Sequence, residues 1–365
     1  MKQTEVFSLL WKVVDSKKRA LYSADPTKRK TISFSIRQMS KGIEAAQSHM
    51  KGLFPLGTEE WPESKCKIVK DVKGVGKGIC NRIDEIYNTG TLAELDEVEV
   101  EEERPEFIAA KELENIFGIG PIKAKTFVDA GYRTIEELKK GHMTGKIKLT
   151  DQMIIGIKYH KDFMVRIPHE EIITMEKTIQ EIGRKLELKK DPKTNNSLYG
   201  NISITICGSY RRRLLTSGDI DVMFTCVNKP TITVKKAFKE YISMMKEVGF
   251  LVDDLSYGET KYLGACKNIN VKESDKAKVK VRRIDILAVP WKSYAPAVMY
   301  FTGSKKFNIE FRKKALEKGY TVNEYGVYKL DGGVKKIEEK YRVPVINEQT
   351  MFDLVGMDYL EPWER

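Results

Sequence analysis

No stretch of this 365-residue chain combines the length and apolarity of a membrane span, and its mean hydropathy is −0.41. A bilayer-crossing helix needs roughly 20 consecutive apolar residues, so no membrane partner is expected. The opening segment MKQTEVFSLLWKVVDSKKR carries an apolar patch but no small-residue cleavage site, which argues against a secretory signal. Cysteine is scarce: Cys66, Cys80, Cys207, Cys226 and Cys266 are scattered, odd in number and without CxxC spacing. That pattern argues against a structural zinc site. It predicts free thiols in a reducing intracellular compartment, with nucleus, cytoplasm and viral particle indistinguishable. Long low-complexity segments are also absent.

Positive charge is what the chain has in excess. Lys and Arg number 64 against 52 Asp and Glu, a formal +12, with a pI near 9.2. Such a balance suits a polyanionic partner, because neutralising phosphates releases condensed counterions. An acidic run, Glu97 to Glu103, reads as a solvated linker. The length allows two to four modules around at least one sizeable core.

Residues from about Thr4 to Leu95 read as mostly helical. Within them lies VKGVGKGICNRIDEIYNTG, Val72 to Gly90, and the pattern recurs as IFGIGPIKAKTFVDAG, Ile116 to Gly131. Each has apolar-Gly-apolar-Gly before an apolar-spaced helix. Gly74, Gly76, Gly118 and Gly120 permit a tight hairpin whose N–H groups face a phosphate, with Lys73, Lys77, Lys123 and Lys125 beside them. Two copies predict a paired helix-hairpin-helix grip on a DNA backbone.

An amphipathic helix, apolar at Ile172, Ile173, Ile179, Ile182 and Leu186, follows. After it come a strand over 202–207, a helix near 234–248, strands near Phe250 and Tyr262, and a lysine-rich hairpin loop over 267–280. This mixture indicates an α+β sheet domain. In GSYRRRLLTSGDIDVMFTC, Gly208 to Cys226, Asp219 and Asp221 share one strand face while Ile220 and Val222 share the other. VRRIDILAV repeats the alternation, placing Asp285 on the face of Arg283. Three acids on neighbouring strands would suit two Mg²⁺ ions and in-line displacement at phosphorus, with Asp285 as proton acceptor. Gly208, Ser209, Arg212 and the N–H of Gly218 supply donors for a metal-bound nucleoside triphosphate.

These motifs, with YFTGS and VNEY in the same order and at similar spacing, resemble the family X DNA polymerases, and among them the vertebrate beta-type gap-filling enzymes. The resemblance covers nearly the whole chain. It implies an α+β multi-subdomain fold. A helical, lyase-like DNA-binding domain would span 1–96, and a second helix-hairpin-helix subdomain 97–167. A mixed-sheet nucleotidyltransferase palm would span 168–290, and an α/β nucleotide-selection subdomain 291–365. No phosphoesterase or BRCT-like module is expected.

The resemblance further implies Asp219, Asp221 and Asp285 as ligands of two Mg²⁺, with Mn²⁺ as a substitute. Tyr300, Phe301 and Gly303 would face the sugar, Asn308 the incoming base and Arg312 the template. Arg283 would balance Asp285, and Glu324 with Tyr325 would move on closing or form an ordinary surface turn. The hairpins would hold a monovalent cation such as K⁺ or Na⁺. The expected partners are gapped or primer-template DNA and dNTP, bound by a monomer.

Four residues depart from the beta-type pattern. Arg82 stands where the beta-type lyase has its Schiff-base lysine, and a guanidinium stays protonated, so sugar-phosphate lyase activity is expected to be weak or lost unless Lys73 or Lys77 substitutes. Arg213 replaces a glycine, Lys305 an aspartate and Leu287 an arginine used in closing. The modest 267–280 loop favours templated synthesis. A template-independent transferase and a non-catalytic DNA-binding scaffold are the alternatives.

Overall fold

A computed structural model describes residues 1–23, 26–54, 60–95 and 105–365. The acidic run Glu97–Glu103 and the expected boundary at 96/97 lie outside the described residues. The chain divides into two compact units, Met1–Leu149 and Thr150–Arg365.

The first unit is helical. α1 (Gln3–Ser23) and α2 (Pro26–Leu53) pack with α3 (Lys77–Thr89) through a core that includes Leu10, Val14, Ile43, Ala46, Ile83 and Ile86. Both glycine repeats form the same turn. Val75 N–H donates to the Val72 carbonyl at 2.9 Å, and Ile119 N–H to the Ile116 carbonyl at 3.0 Å. Gly74 and Gly118 have φ of 105° and 90°, which a side chain would oppose. Gly76 and Gly120 then cap α3 and α5 (Pro121–Asp129). The copies differ upstream: α4 (Pro105–Glu114) leads into the second turn, whereas only a 3₁₀ turn, Lys65–Ile68, precedes the first. α6 (Ile135–Met143) starts with a capping box between Thr134 and Glu137.

The expectation that all five thiols are free is corrected here. The 3₁₀ turn and α3 fold back on each other, Cys66 and Cys80 come to a Cα separation of 5.0 Å, and they form a disulfide. Cys207, Cys226 and Cys266 are free and buried.

The second unit is built on a five-stranded mixed sheet, β2 (Ile202–Ile206), β4 (Ile220–Cys226), β7 (Val281–Ala288), β6 (Lys261–Lys267) and β5 (Leu251–Tyr257), in that order. β1 (Ile167–Pro168) and β3 (Thr216–Ser217) form a short separate ladder. β4 is covered on both faces. Val222 and Phe224 meet α9 (His169–Glu187) and α11 (Thr231–Glu247), while Met223 meets α12 (Trp291–Thr302). Ile173, counted among the apolar positions of this helix, is exposed: α9 starts at His169, and its buried stripe runs through Ile172, Met175, Ile179 and Ile182. α7 (Asp151–Lys158) and α8 (His160–Phe163) belong to this unit, Lys158 and Tyr159 both donating to Asp253 of β5.

Beyond the sheet, α13 (Lys305–Glu317), the ladder β8 (Tyr320–Asn323), β9 (Gly326–Lys329) and β10 (Arg342–Val343), and α14 (Glu348–Val355) enclose a separate core around Phe307, Phe311 and Phe352. Among the described residues, no helix is long and apolar enough to cross a membrane.

Candidate active site

Two hydrogen-bond ladders assemble the acids. β4 and β7 run parallel, with Asp221 directly opposite Asp285 and Ile220 opposite Ile284. The isoleucines are fully buried, so the pleat turns both carboxylates to the opposite face. Asp219 precedes β4 by one residue. β7 alternates as expected, Arg282, Ile284, Ile286 and Ala288 being buried. Arg282 fixes the start of this strand by a paired donation to Glu171 on α9, both contacts at 2.7 Å.

α10 (Gly208–Arg211) packs its first residue against Asp221. Gly208 has φ of 60°, and a Cβ there would lie 2.5 Å from Asp221 Oδ2. The N–H of Cys207 donates to the Asp221 carbonyl at 2.7 Å, fixing this turn to β4. Ser209 Oγ donates to Ser217 Oγ at 2.8 Å.

Charge in this cluster is incompletely balanced. Burial foremost, with the neighbouring charges of Asp219 and Asp285, pushes the Asp221 carboxyl up to about 7 against the opposing pull of Arg283 and Arg212. Asp285 is also raised, by burial foremost, with Asp219 adding and Arg283 and Lys261 opposing. Crowded, partly desolvated carboxylates of this kind are stabilised by a cation, and all-oxygen donors fit a hard divalent ion. Among the described residues, no three acidic, histidine or cysteine side chains stand in position to hold one ion. Arg283 forms an ion pair with Asp219, and its charge also opposes the rise at Asp285.

The three arginines diverge. Arg211 donates to both Glu348 oxygens at 2.9 and 2.6 Å and to Thr302 Oγ1 at 2.7 Å. Arg212 donates to the Thr302 carbonyl, next to Gly303. The Arg213 guanidinium lies 3.5 Å from the centre of the Trp363 ring. Asn308 donates its amide to the Tyr300 carbonyl at 2.8 Å, and Arg312 lies over the Tyr300 ring, so these groups share one surface with Phe301. Glu324 and Tyr325 form the turn between β8 and β9, held by Asn323 Oδ1.

Comparison with known proteins identifies the architecture. Protein-family models match for the DNA polymerase beta palm over residues 166–291, the DNA polymerase beta thumb over 297–365 and the fingers domain of DNA polymerase lambda over 111–164. The chain belongs to the family X DNA polymerases.

Two relatives of this family X chain are DNA polymerase lambda of Rattus norvegicus, 29% identical over 88% of this chain and 52% of the relative, and that of Arabidopsis thaliana, 29% identical over 81% and 53%. DNA nucleotidylexotransferase of Xenopus laevis is 25% identical over 84% of this chain and 61% of its own length. The chain spans about half the length of the two polymerase lambda relatives.

Arg82, which the resemblance places at the lyase position, is held by neighbours in this family X member. It donates to both Glu94 oxygens and, through Nη1, to the Gly78 carbonyl at 2.9 Å. Sequence reasoning missed Glu94, Glu348 and Trp363, each in contact with an arginine singled out above, and Arg365, which shares Glu348 with Arg211. Only an unpaired run of arginines hinted that such partners existed.

Proposed function

We propose that this protein is a template-dependent DNA polymerase that fills short gaps in DNA repair. The reading is carried by the register pairing of Asp221 with Asp285 beside the Gly208–Ser209 turn. Asp219, Asp221 and Asp285 would hold two Mg²⁺ ions, with Mn²⁺ as substitute. When bound, these ions neutralise the triphosphate and acidify the primer 3′-hydroxyl.

The chain's own residues supply the rest. The Asp285 carboxylate accepts the 3′-hydroxyl proton. The freed oxygen bonds to the α-phosphorus as the bond to pyrophosphate breaks. Ser209 Oγ, the Gly218 N–H and Arg212 donate to the triphosphate. Tyr300, Phe301 and Gly303 face the sugar, while Asn308 and Arg312 approach minor-groove acceptors common to all correct pairs. The helical domain and the two hairpins grip the flanking DNA backbone through exposed Gly76, Lys77, Gly120 and Lys123, with K⁺ or Na⁺ at the turns, and the protein acts as a monomer.

Arg82 cannot form an imine, and its bonds to Glu94 leave a structural role, so the lyase step is weak or absent. A second reading, template-independent addition, draws on the similarity to a nucleotidylexotransferase.

The test uses a one-nucleotide-gapped duplex bearing a 5′-deoxyribose phosphate, one complementary dNTP and Mg²⁺, with borohydride in a parallel sample. Extension by the wild type, its loss in Asp285→Ala and no trapped adduct are expected. Extension that persists without template favours the second reading, a trapped adduct overturns the assignment of Arg82, and no extension refutes the polymerase.

A further inference from the structure

We propose that Arg213 and Trp363 form a latch that positions the triphosphate-binding turn, an inference that rests on the polymerase reading above. Arg213 is an exposed cation beside a phosphate-binding motif, and the simplest assignment would make it a third phosphate ligand. Its backbone argues otherwise. With φ of 58° it sits in the left-handed region, which side chains rarely enter. The family resemblance has glycine at this position. The Arg213 N–H donates to the Tyr210 carbonyl at 2.8 Å and the Leu214 N–H to the Ser209 carbonyl at 3.1 Å, so this conformation closes the turn that carries Ser209 and Arg212.

The same conformation lays the guanidinium on the face of Trp363, 3.5 Å from the ring centre. Indole is the strongest of the aromatic partners for a cation, and a planar guanidinium stacks on it. The platform is braced. Trp363 lies in a 3₁₀ turn, Pro362–Glu364, capped reciprocally by Glu361 and Glu364. Next to it, the Arg365 side chain is fully buried, donating to Glu348 at 2.6 Å and to the Leu360 carbonyl at 2.9 Å. Glu348 also receives Arg211 from the triphosphate-binding turn. A left-handed arginine therefore joins that turn to a segment already fixed in place. Trp363 keeps 45% of its surface exposed and Leu215 keeps 89%, so the turn is open to solvent on its outer side.

A latch acts on the population of the competent turn, so its loss raises the apparent dNTP dissociation constant and leaves the chemical step largely intact. A cation–π contact at a half-exposed site is worth about 1 kcal/mol, or about fivefold. Arg213→Gly suits the left-handed backbone and removes only the latch, so the variant folds.

The experiment is single-turnover nucleotide incorporation on a one-nucleotide-gapped duplex with Mg²⁺, comparing wild type, Arg213→Gly, Trp363→Ala, the double variant and Trp363→Phe. Each single variant is expected to weaken dNTP binding about fivefold with the maximal rate changed less than about twofold. The double variant should be no worse than either single one, and Trp363→Phe should recover part of the affinity. Weakened binding in Arg213→Gly but not in Trp363→Ala would make Arg213 a direct phosphate ligand and overturn the latch. Wild-type affinity in both would reduce the contact to surface packing. Amide hydrogen exchange at Arg213 and Leu214 gives a reading independent of catalysis. It rises in Trp363→Ala if the latch exists and stays unchanged if it does not, whereas absence of extension by the wild type would count against the polymerase alone.

Discussion

Replacing Gly208 by alanine tests the active-site geometry most directly. The added Cβ would stand 2.5 Å from Asp221 Oδ2 and 3.5 Å from its Cγ, whereas ordinary contact begins at 3.4 Å. The carboxylate would have to withdraw by the difference, 3.4 minus 2.5 Å, or 0.9 Å. Asp221 has little freedom to comply, since its backbone is fixed by the ladder to Asp285 and by the bond from Cys207. A misplacement near 1 Å costs about 100-fold in rate when a reaction depends on alignment. The left-handed φ adds about 1 kcal/mol of backbone cost. Gly208→Ala should therefore lose roughly 1–2 kcal/mol of stability and about 100-fold in kcat, with a smaller change in the dNTP KM. Gly249→Ala is the control: φ there is 74° and nothing lies within 4 Å of the added Cβ, so it carries the backbone cost without the carboxylate contact. Gap-filling extension and thermal unfolding are measured on both. If Gly208→Ala keeps a rate within about threefold of the wild type, the packing of Gly208 on Asp221 does not govern the chemistry.

Gly76→Ala and Gly120→Ala meet no atom within 4 Å and have φ of −96° and −89°, so stability should hold or rise by about 0.5 kcal/mol while affinity for gapped DNA falls; unchanged affinity would refute a backbone approach at the hairpins. Reducing Cys66–Cys80, which closes a loop of sequence separation 14, should cost the first unit about 3 kcal/mol in denaturant unfolding, and Cys80→Ser should reproduce the loss. Burial pushes the Glu348 carboxyl up, but Arg211 and Arg365 together hold it below the usual range. A depressed folded pKa places its stabilisation above the unfolded carboxylate pKa, to be lost as pH falls through the lower folded value. Glu348→Gln should flatten that acid limb and cost about 3 kcal/mol at neutral pH, since it leaves buried arginines uncompensated.

Much of the fold was legible because local periodicity and burial coincide. The alternation of VRRIDILAV is that of a strand with one face in the core, and β7 buries Arg282, Ile284, Ile286 and Ala288 in turn. The two glycine repeats encode the same hairpin, down to matching hydrogen bonds. Legibility ended where an outcome depended on distant parts of the chain. Nothing in the spacing of Cys66 and Cys80 indicates that α3 folds back on the 3₁₀ turn before it. Ile173 carries the right hydrophobicity for the core, yet it points outward because the packing of α9 on the sheet selects Ile172 and Met175.

At the site, the residue types were readable and their pairings were not. Three consecutive arginines beside two aspartates announce phosphate chemistry, and one turn of backbone then sends them three ways. Arg211 stays within α10 and reaches Glu348, 137 residues away. Arg212 caps the turn and reaches Thr302, and Arg213 swings through a positive φ onto Trp363. Arg283 likewise serves two acids, pairing with Asp219 while its charge opposes the rise at Asp285, the acid that the resemblance assigned to it. A strand's period of two fixes which face a charge occupies, but the partner on that face is chosen by the sheet order and by the docking of α12 and α14. Among the described residues, the Arg212 side chain donates to a backbone carbonyl and is drawn to Asp221 by charge, without the paired carboxylate that Arg211 has or the ring contact that Arg213 has. Such a neutral acceptor gives up its donor to a triphosphate at less cost than Glu348 would, which supports the proposed phosphate contact by Arg212.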